Sequence, residues 1–322
     1  MAETNPSAAS APTVAVIGAG AWGLALAMQA RRAGRPVTLW ARTPARIGAR
    51  LPGVTLPADI AVTGTLPTAG LVLLAVPLQH LRAIAARLPP GGPLICCAKG
   101  IEAGTLALPL ELLADVQPGR AAGVLTGPSF AAEVAAGLPA AVVLAAGQEA
   151  VRAEAIAALA TPAFRLYGND DPVGAQVGGA AKNVIAIAAG AVIGAGLGEN
   201  ARAGLITRGL AELGRLAAAL GGRAETVSGL SGLGDLLLTC TSAQSRNYAF
   251  GLALGRGEAP AAILAGRSAV TEGVATAPAL LARALARGVA VPIAAAVAAV
   301  LAGRITLDQA IAALLARPLR DE

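Results

Sequence analysis

The chain has 322 residues, of which 55% are hydrophobic and 2% aromatic, and its formal net charge is +6. This length allows two domains, and the apolar content allows buried cores, which small side chains must fill because aromatic residues are so few. The positive charge comes from arginines spread along the chain rather than from a basic block with interleaved aromatics, which argues against nucleic-acid binding and favours small anionic ligands.

The cysteines, the first residues and the apolar stretches indicate the cellular location of the protein. Three cysteines, two of them adjacent at Cys96 and Cys97, predict neither a disulfide framework nor a metal site, and they fit a reducing cytoplasm. We expect residues 1–12 to be a disordered leader rather than a signal peptide, because they lack a basic region. The uncharged, glycine-rich stretch at residues 184–198 is shorter than the roughly 18 residues of a spanning helix, so we expect a buried core helix that ends in a loop.

The first element has the order strand, glycine loop, helix. Residues 13–17 form a β-branched run, followed at once by Gly18, Gly20 and Gly23 in the spacing GxGxxG and by an alanine-rich segment that Gly34 stops. In such a loop the first glycine allows the turn, the second lets the backbone approach a pyrophosphate, and the third lets helix and strand pack. The helix N-terminus then binds the anion. The pattern predicts a dinucleotide-binding unit, with a plain tight turn as the alternative.

A second strand, residues 37–40, ends in Ala41 and Arg42. Folds that select NAD have a carboxylate near this strand end for the ribose 2′-hydroxyl, whereas an arginine there accommodates the 2′-phosphate of NADP. Arg42, with Arg46 as a helper, therefore predicts a preference for NADP(H), with NAD(H) also used. The alternative is that Arg42 is an ordinary solvated arginine.

Further apolar runs predict strands with helical segments between them, at residues 71–76, 93–98, 123–126, 140–145 and 164–167. This alternation predicts an α/β domain with a doubly wound parallel sheet over residues 13–170. Lys99 follows one strand end, where open α/β sheets bind ligands. We favour a local structural role for His80, the only histidine, and Ser129 is either a ligand contact or a helix N-cap.

The character of the sequence changes at a polar turn, residues 168–172. Strand-like alternation disappears beyond it, and long Ala/Leu segments run to the end of the chain. We therefore predict a domain boundary between residues 170 and 171 and an all-helical second domain over residues 171–322.

Lys99 and Lys182 are the only two lysines among the 25 basic residues. A lysine ammonium can lose its proton when it is desolvated, whereas a guanidinium stays charged, so a proton-transfer site is a place where arginine does not serve. Chance is the alternative explanation. We expect Lys182 to lie buried at the start of an apolar helix.

A set of motifs runs in order along nearly the whole chain. The motifs are GAGAWG from Gly18, AVP from Ala75, AKGIE from Ala98, GPSFAAE from Gly127, GGAAKNVIAIAAG from Gly178, NARAGLITRGLAE from Asn200, GLSGLGDLLLTCTSAQSRNYAFG from Gly229 and VTEGV from Val270. Together they resemble the bacterial NAD(P)-dependent glycerol-3-phosphate dehydrogenase family, which interconverts glycerol 3-phosphate and dihydroxyacetone phosphate. The resemblance implies a Rossmann-type α/β domain followed by an all-α domain, a homodimer, and a supply of glycerol 3-phosphate for phospholipid synthesis.

The resemblance also implies roles residue by residue. Lys182 matches the family's catalytic lysine, which donates a proton when the ketone is reduced and accepts one when the alcohol is oxidised. The substrate-binding positions match Lys99, Gly127, Ser129, Lys182, Asp235, Ser245, Arg246 and Asn247. The cofactor-binding positions match Gly18, Gly20, Ala21, Trp22, Gly23, Arg42, Lys99, Ala131, Arg246, Val270 and Glu272.

Two positions depart from the family pattern. Ala21 stands where serine is frequent, and Leu24 stands where threonine is frequent. Each missing hydroxyl removes a cofactor hydrogen bond worth on the order of 1 kcal/mol. Backbone N–H groups still suffice to hold a pyrophosphate.

The residue types suit the implied reaction. Hydride transfer to a ketone builds negative charge on the carbonyl oxygen, and a positioned acid lowers that barrier. Burial near a second cation, Lys99, should lower the pKa of Lys182, and Asp235 would orient its ammonium.

A phosphate monoester requires charged and neutral hydrogen-bond donors together. Ser245, Arg246 and Asn247 offer a guanidinium between a hydroxyl and an amide, at a turn that enters a helix. The alternative is an exposed helix start with a capping serine.

Two other functions remain open from the sequence. One is a related β-hydroxyacid dehydrogenase that acts on a carboxylate substrate, against which the second lysine and the Ser245 to Asn247 segment argue. The other is a catalytically idle NADP-sensing module, against which Lys182 and Asp235 argue. We predict an enzyme without a metal, whose partner is a small phosphorylated substrate rather than nucleic acid.

Overall fold

A computed structural model of the chain describes residues 12–44, 51, 53–266 and 271–318. Two predicted cofactor residues, Arg46 and Val270, lie outside the described residues. So do residues 1–11 of the expected leader.

The N-terminal half contains an eight-stranded sheet. Its strands are β1 (Val14–Ile17), β2 (Val37–Trp40), β3 (Ala61–Thr63), β4 (Leu71–Leu74), β5 (Leu94–Cys96), β6 (Ala122–Thr126), β7 (Ala140–Ala145) and β8 (Phe164–Asn169). They lie in the order β3-β2-β1-β4-β5-β6-β7-β8, so the order reverses between β1 and β4. That reversal is the point at which doubly wound sheets bind ligands.

Several predicted strand ends are off by one or two residues, and the sheet differs from the prediction in two further respects. The first is β3, which the sequence did not reveal because its three residues are mostly exposed and owe their strand conformation to pairing with β2. The second is strand direction, since β7 pairs antiparallel with β6 while the other neighbours are parallel. A buried apolar run has the same pattern in either direction, so the sequence could not distinguish them.

Helices connect the strands and make up the rest of the described chain. Those of the first half are α1 (Ala21–Arg32), α2 (Leu78–Ala85), α3 (Pro109–Val116), α4 (Ala131–Ala136) and α5 (Glu149–Leu159). Those that follow the sheet are α6 (Pro172–Gly194), α7 (Gly198–Ala219), α8 (Ala224–Ser228), α9 (Asp235–Thr241), α10 (Arg246–Gly255), α11 (Pro260–Ala265), α12 (Glu272–Leu285), α13 (Pro292–Leu301) and α14 (Leu307–Leu315). The π-helical turn Leu230–Gly234 runs directly into α9. The predicted fold class, a Rossmann-type sheet followed by helices, is confirmed.

Apolar side chains fill three clusters, one on each face of the sheet and one among the later helices. Successive strand residues alternate between the two faces, so that Leu73 packs on one face while Val72 and Leu74 pack on the other. The third cluster surrounds α6, the central helix of the second half.

Helix α6 corrects our prediction for Lys182. The helix begins at Pro172, where the Asp171 side chain accepts a hydrogen bond from the Gly174 N–H at 2.9 Å, and it ends at Gly194. Lys182 therefore lies in the middle of the helix and not at its start. Gly178 and Gly179 have a low helix propensity, so the sequence did not indicate that the helix begins before them. In the folded chain, packing overrides this propensity.

Among the described helices, α6 alone has the length and apolar character to cross a membrane. Within the folded chain, 89% of the 18-residue apolar stretch of this helix is buried, as in the core helix of a domain. The sequence predicts a core helix at residues 184–198; the helix lies there, but it begins at Pro172 and ends at Gly194.

Candidate active site

The loops at one edge of the sheet collect most of the predicted ligand-binding residues of the first half. Strands β1, β2, β4, β5 and β6 run parallel, so their carboxyl ends lie at the same edge. The loops that leave these ends carry the GxGxxG segment, Arg42, Lys99 and Gly127. Helix α6 packs against the end of β6 at this edge, which brings the two halves of the chain together.

The glycine loop has the geometry that the spacing predicts. Gly18 has a φ of +114°, which favours glycine, and a Cβ on Gly23 would lie only 1.7 Å from the Gly18 carbonyl oxygen. Gly20 precedes α1 with no side-chain cap, and a Cβ there would meet no protein atom within 4 Å. Open space beside uncapped helix N–H groups fits the pyrophosphate of a dinucleotide.

The other predicted cofactor residues lie around this loop. Ala21 and Trp22 begin α1 and are partly buried, and Ala131 begins α4 with similar exposure. Arg42 lies exposed just beyond β2. An exposed guanidinium at that strand end is available to a ligand phosphate.

A carboxylate between two ammonium groups forms the centre of the site. Asp235, the first residue of α9, is 1% exposed and accepts hydrogen bonds from Lys99 and Lys182. Each lysine Nζ lies 2.5 Å from a different carboxylate oxygen, Oδ2 for Lys99 and Oδ1 for Lys182. The three side chains are far apart in sequence and are brought together by the approach of α6 and α9 to the sheet edge.

The surroundings of Lys182 shift the pKa of its ammonium. The residue is 8% exposed, and burial lowers the pKa of its ammonium from 10.5 to about 8. Asp235 opposes this shift, whereas the second cation, Lys99, reinforces it. A group with this pKa exchanges its proton readily near neutral pH.

Gly127 and Ser129 lie next to this centre. Lys99 Nζ donates to the Gly127 carbonyl oxygen at 3.3 Å, and Ser129 Oγ donates to the same oxygen at 3.0 Å. Helix α4 has Phe130 rather than Ser129 as its N-cap residue, so the capping alternative for Ser129 is wrong.

Ser245, Arg246 and Asn247 begin helix α10. Ser245 is its N-cap and accepts from the Tyr248 N–H at 3.2 Å, so the capping role predicted as an alternative is present. Arg246 is exposed, while Asn247 is buried at 8% exposure. A capped helix start with an exposed guanidinium suits an anionic ligand.

A chain of amides connects Asn247 to Glu272. Asn247 Nδ2 donates to Asn183 Oδ1 at 2.9 Å, and Asn247 Oδ1 accepts from the Gly273 N–H at 2.9 Å. Asn183 Nδ2 lies 3.5 Å from Glu272 Oε2. Burial raises the pKa of Glu272, and the nearby cations Arg246, Lys99 and Lys182 oppose that shift. Predicted substrate and cofactor residues thus belong to one network.

Two residues of the site, Asn183 and Thr239, have no role predicted from the sequence. Thr239 Oγ1 accepts from Lys182 Nζ at 2.9 Å and donates to the Asp235 carbonyl oxygen at 2.6 Å. Asn183 holds Asn247, as described above. The spacing of four between Asp235 and Thr239 on a helix was the available signal for the threonine, since such residues share a face.

His80 lies exposed on α2. Within the described residues, no group of three or more His, Cys, Asp or Glu side chains is arranged to hold a metal ion.

Comparisons with known proteins identify similar chains. Residues 13–152 match the family described as NAD-dependent glycerol-3-phosphate dehydrogenase N-terminus, and residues 171–312 match the corresponding C-terminus. A glycerol-3-phosphate dehydrogenase (NAD(P)+) of Acidiphilium cryptum is 57% identical over 97% of this chain and 98% of its own. A protein of that name from Bradyrhizobium sp. strain BTAi1 is 54% identical over 96% and 98%. A crystal structure of glycerol-3-phosphate dehydrogenase from Coxiella burnetii has a TM-score of 0.90 and 36% identity, covering 95% of this chain and 99% of that one.

Proposed function

This chain belongs to the NAD-dependent glycerol-3-phosphate dehydrogenase family, and from that membership we propose how its own residues carry out the reaction. The enzyme interconverts sn-glycerol 3-phosphate and dihydroxyacetone phosphate with NAD(P)(H). The comparisons support this reaction over the alternative of a β-hydroxyacid dehydrogenase. When bound, the nicotinamide cofactor supplies or takes up the hydride.

The glycine loop would hold the cofactor's pyrophosphate. Gly18 and Gly23 form the close contact between loop and helix, and Gly20 leaves space beside the N–H groups of α1. Ala21, Trp22 and Ala131 would contact the dinucleotide from α1 and α4. The absence of a hydroxyl at Ala21 leaves this binding to the backbone.

Lys182 is the proposed acid and base. The observation that carries this proposal is a nearly buried ammonium that donates hydrogen bonds to Asp235 and Thr239. Burial lowers its pKa to about 8, which suits proton exchange in both directions. In ketone reduction the ammonium donates a proton to the carbonyl oxygen as negative charge develops there, and the neutral amine then regains a proton from solvent. In alcohol oxidation the neutral amine accepts the hydroxyl proton.

Asp235 and Lys99 would position and tune this group. Asp235 orients the Lys182 ammonium through Oδ1 and holds Lys99 through Oδ2. Lys99, a second positive charge at the sheet edge, would bind the substrate and help to stabilise the developing oxyanion.

The substrate phosphate would bind at the start of α10. Arg246 supplies the charge, Ser245 and Asn247 supply neutral hydrogen-bonding groups, and the N-terminal end of the helix favours an anion. Gly127 and Ser129 would contact the substrate from the loop after β6.

Replacing Lys182 by arginine tests the proposal. Arginine keeps the positive charge but does not release a proton at accessible pH, so turnover should fall by about 10²-fold or more in both directions.

In the unaltered enzyme, ketone reduction should decline as pH rises through about 8, because the required ammonium is lost. Alcohol oxidation should rise over the same range. Initial rates with dihydroxyacetone phosphate and with glycerol 3-phosphate, from pH 6 to pH 10, measure all three effects.

An Arg287→Lys variant is the control, because it exchanges the same two residue types at an exposed position. It should match the unaltered enzyme, and both variants should keep NADPH binding and their thermal unfolding temperature. Near-normal turnover by Lys182→Arg would refute the role of Lys182.

We further propose a cofactor preference and a domain division. The exposed Arg42 at the end of β2 supports NADP(H) over NAD(H), although both are used by the family. The last strand ends at Asn169 and α6 begins at Pro172, which supports a boundary between residues 170 and 171, with domains at 13–170 and 171–322.

We also propose an assembly and a location for the protein. The family resemblance supports a homodimer and a role in supplying glycerol 3-phosphate for phospholipids. Three buried free cysteines, Cys96, Cys97 and Cys240, support a cytoplasmic location. The burial of α6 supports a protein without a membrane span, and the dispersed arginines support one that does not bind nucleic acid.

A further inference from the structure

Two consecutive glycines precede Lys182 on helix α6 by four and three positions. Successive residues of a helix differ by about 100° in direction, so Gly178 and Gly179 face different neighbours. Residues spaced by three or four share a face with Lys182. The two glycines thus lie one turn before the lysine, on the sides from which its two charged neighbours approach.

Gly178 faces the backbone that leads to Asp235. A Cβ at this position would lie 2.7 Å from the Ser231 carbonyl oxygen and 3.0 Å from Gly232 Cα. Both atoms belong to the π-helical turn Leu230–Gly234, which continues directly into Asp235. Because the obstructing atoms are backbone atoms, no side-chain rotation relieves the overlap.

Gly179 faces the end of β6 and the stem of Lys99. A Cβ here would lie 2.9 Å from Thr126 Oγ1, 3.6 Å from Lys99 Cγ and 3.8 Å from Lys99 Cδ. The Thr126 hydroxyl is buried and has no hydrogen-bond partner among the described residues. Here the nearest obstructing atom is the tip of one side chain, which a substitution can remove.

We propose that Gly178 and Gly179 are positioning residues for proton transfer, which set the distance of the Lys182 ammonium from Asp235 and from Lys99 respectively. Each glycine fixes the gap between α6 and one of the segments that carry these charges. A methyl group at 178 moves the Asp235 segment away, and one at 179 moves the sheet edge with Lys99. The proposal rests on the role proposed above for Lys182.

The charges around Lys182 determine how the pH dependence of ketone reduction should change in the glycine variants. The groups that face or influence it are Asp235 and Cys240 on α9, Lys99 after β5, and Glu272 on α12, with Arg246 near Glu272. Asp235 is the counter-charge that raises the pKa of Lys182. Moving it away lowers that pKa, so the decline of ketone reduction with pH should begin at lower pH.

The first experiment compares Gly178→Ala with Gly204→Ala. Gly204 is an exposed helical glycine on α7, and a Cβ there would meet no atom within 4 Å. Gly178→Ala should lose about 10²-fold in kcat/KM, as expected for a misplacement of roughly 1 Å, and its pH profile should shift to lower pH. Cofactor affinity, measured by NADPH fluorescence titration, should be unchanged. Gly204→Ala should match the unaltered enzyme in all three measurements.

The second experiment restores activity to a Gly179 variant by a second substitution. Such a rescue is possible at Gly179, where a side-chain atom obstructs the new Cβ, and is not possible at Gly178, where backbone atoms obstruct it. Gly179→Ala should lose activity, and adding Thr126→Ala should restore most of it, because the obstructing oxygen is removed without breaking a hydrogen bond. Adding Thr126→Val instead should not restore it, since a valine methyl takes the place of the oxygen. Thr126→Ala should not rescue Gly178→Ala. The comparison of Gly179→Ala with and without Thr126→Ala still tests the proposal if Gly178→Ala does not fold.

Three results would overturn the proposal: a Gly178→Ala enzyme with unaltered kcat/KM and pH profile, a loss of NADPH affinity equal to the loss of turnover, or no rescue of Gly179→Ala by Thr126→Ala. The Lys182→Arg variant separates this failure from failure of the proposed function. If that variant keeps its turnover, the role of Lys182 is wrong whatever the glycine variants do.

Discussion

At the scale of single residues, Lys182 receives its properties from opposing influences. Burial and the neighbouring Lys99 favour its neutral form, whereas Asp235 favours its charged form, and the resulting pKa is about 8. The nearby buried Cys240 does not compete with Lys182 as a proton donor or acceptor, because burial raises the pKa of its thiol to about 12. An arginine would keep the ion pair and lose the proton exchange.

Arg246 should act mainly on the substrate. Replacing Arg246 by alanine removes a charged donor, worth about 2 to 3 kcal/mol, from the proposed phosphate site. We expect the KM for dihydroxyacetone phosphate to rise roughly 30- to 150-fold and the KM for the cofactor to change far less. The rate with unphosphorylated dihydroxyacetone, which cannot use this site, should hardly change.

Arg256→Ala is the matched control for that measurement. It removes the same charge from an exposed position just past the other end of α10. Equal changes in the KM values for substrate and cofactor in Arg246→Ala would count against a phosphate role.

Arg42 should discriminate between the two cofactors. Arg42→Ala removes the proposed partner of the 2′-phosphate, so the Kd for NADPH should rise about tenfold, equivalent to about 1.4 kcal/mol. The Kd for NADH should stay the same because NADH lacks that phosphate. Fluorescence titration with both cofactors measures the ratio, and the exposed Arg87→Ala serves as the charge control. A parallel change for NADPH and NADH would show that Arg42 is an ordinary surface arginine.

At the scale of elements, the loop between β1 and α1 combines two requirements that have different consequences. Gly23 permits contact between helix and loop, whereas Gly20 borders open space. The first is a requirement of folding, and the second is a requirement of binding.

Alanine at these two positions should separate folding from binding. Gly23→Ala should destabilise the protein by about 3 kcal/mol or more, because its Cβ would overlap the Gly18 carbonyl oxygen. Gly20→Ala should change stability by no more than about 1 kcal/mol, yet weaken cofactor binding on the order of tenfold. Urea unfolding and NADPH titration of both variants test the contrast. An unchanged NADPH affinity in Gly20→Ala would mean that the pyrophosphate lies elsewhere.

At the scale of the whole molecule, polar contacts hold distant elements together. Arg283 on α12 pairs with Glu111 on α3 at 2.5 Å, which joins the helical half to the sheet half. Within the helical half, Glu212 on α7 is 2% exposed and accepts from the N–H groups of Ile293 at 2.7 Å and Ala294 at 3.3 Å. It thereby caps the start of α13 from another helix.

Glu212 should make the stability of the whole protein depend on pH. Burial raises its pKa from 4.5 to about 7, so between these values the folded state holds a proton that the unfolded state has released. Stability is therefore lost as pH rises through this window, by up to about 3 kcal/mol for this group. Glu212→Gln cannot ionise, so its stability relative to the unaltered protein should improve by that amount between pH 4.5 and pH 8. Urea unfolding of both proteins across this range measures the difference, and a constant difference would contradict the assignment.

Local patterns in the sequence determined much of this protein. The GxGxxG loop, the buried strands and Lys182 were identifiable because turn conformation, strand burial and the distinct chemistry of lysine depend on residue type and immediate spacing. The family motifs extended that reading to Asp235 and Arg246.

Only the tertiary structure decided the rest. The contact of Asp235 with both Lys99 and Lys182, the hydrogen bond from Lys182 to Thr239, and the capping of α13 by Glu212 join residues that are distant in sequence. The antiparallel direction of β7 and the continuation of α6 through Gly178 and Gly179 likewise depend on neighbours. Such features arise from packing between elements, whose free energy overrides local propensity and leaves no periodic trace in the sequence.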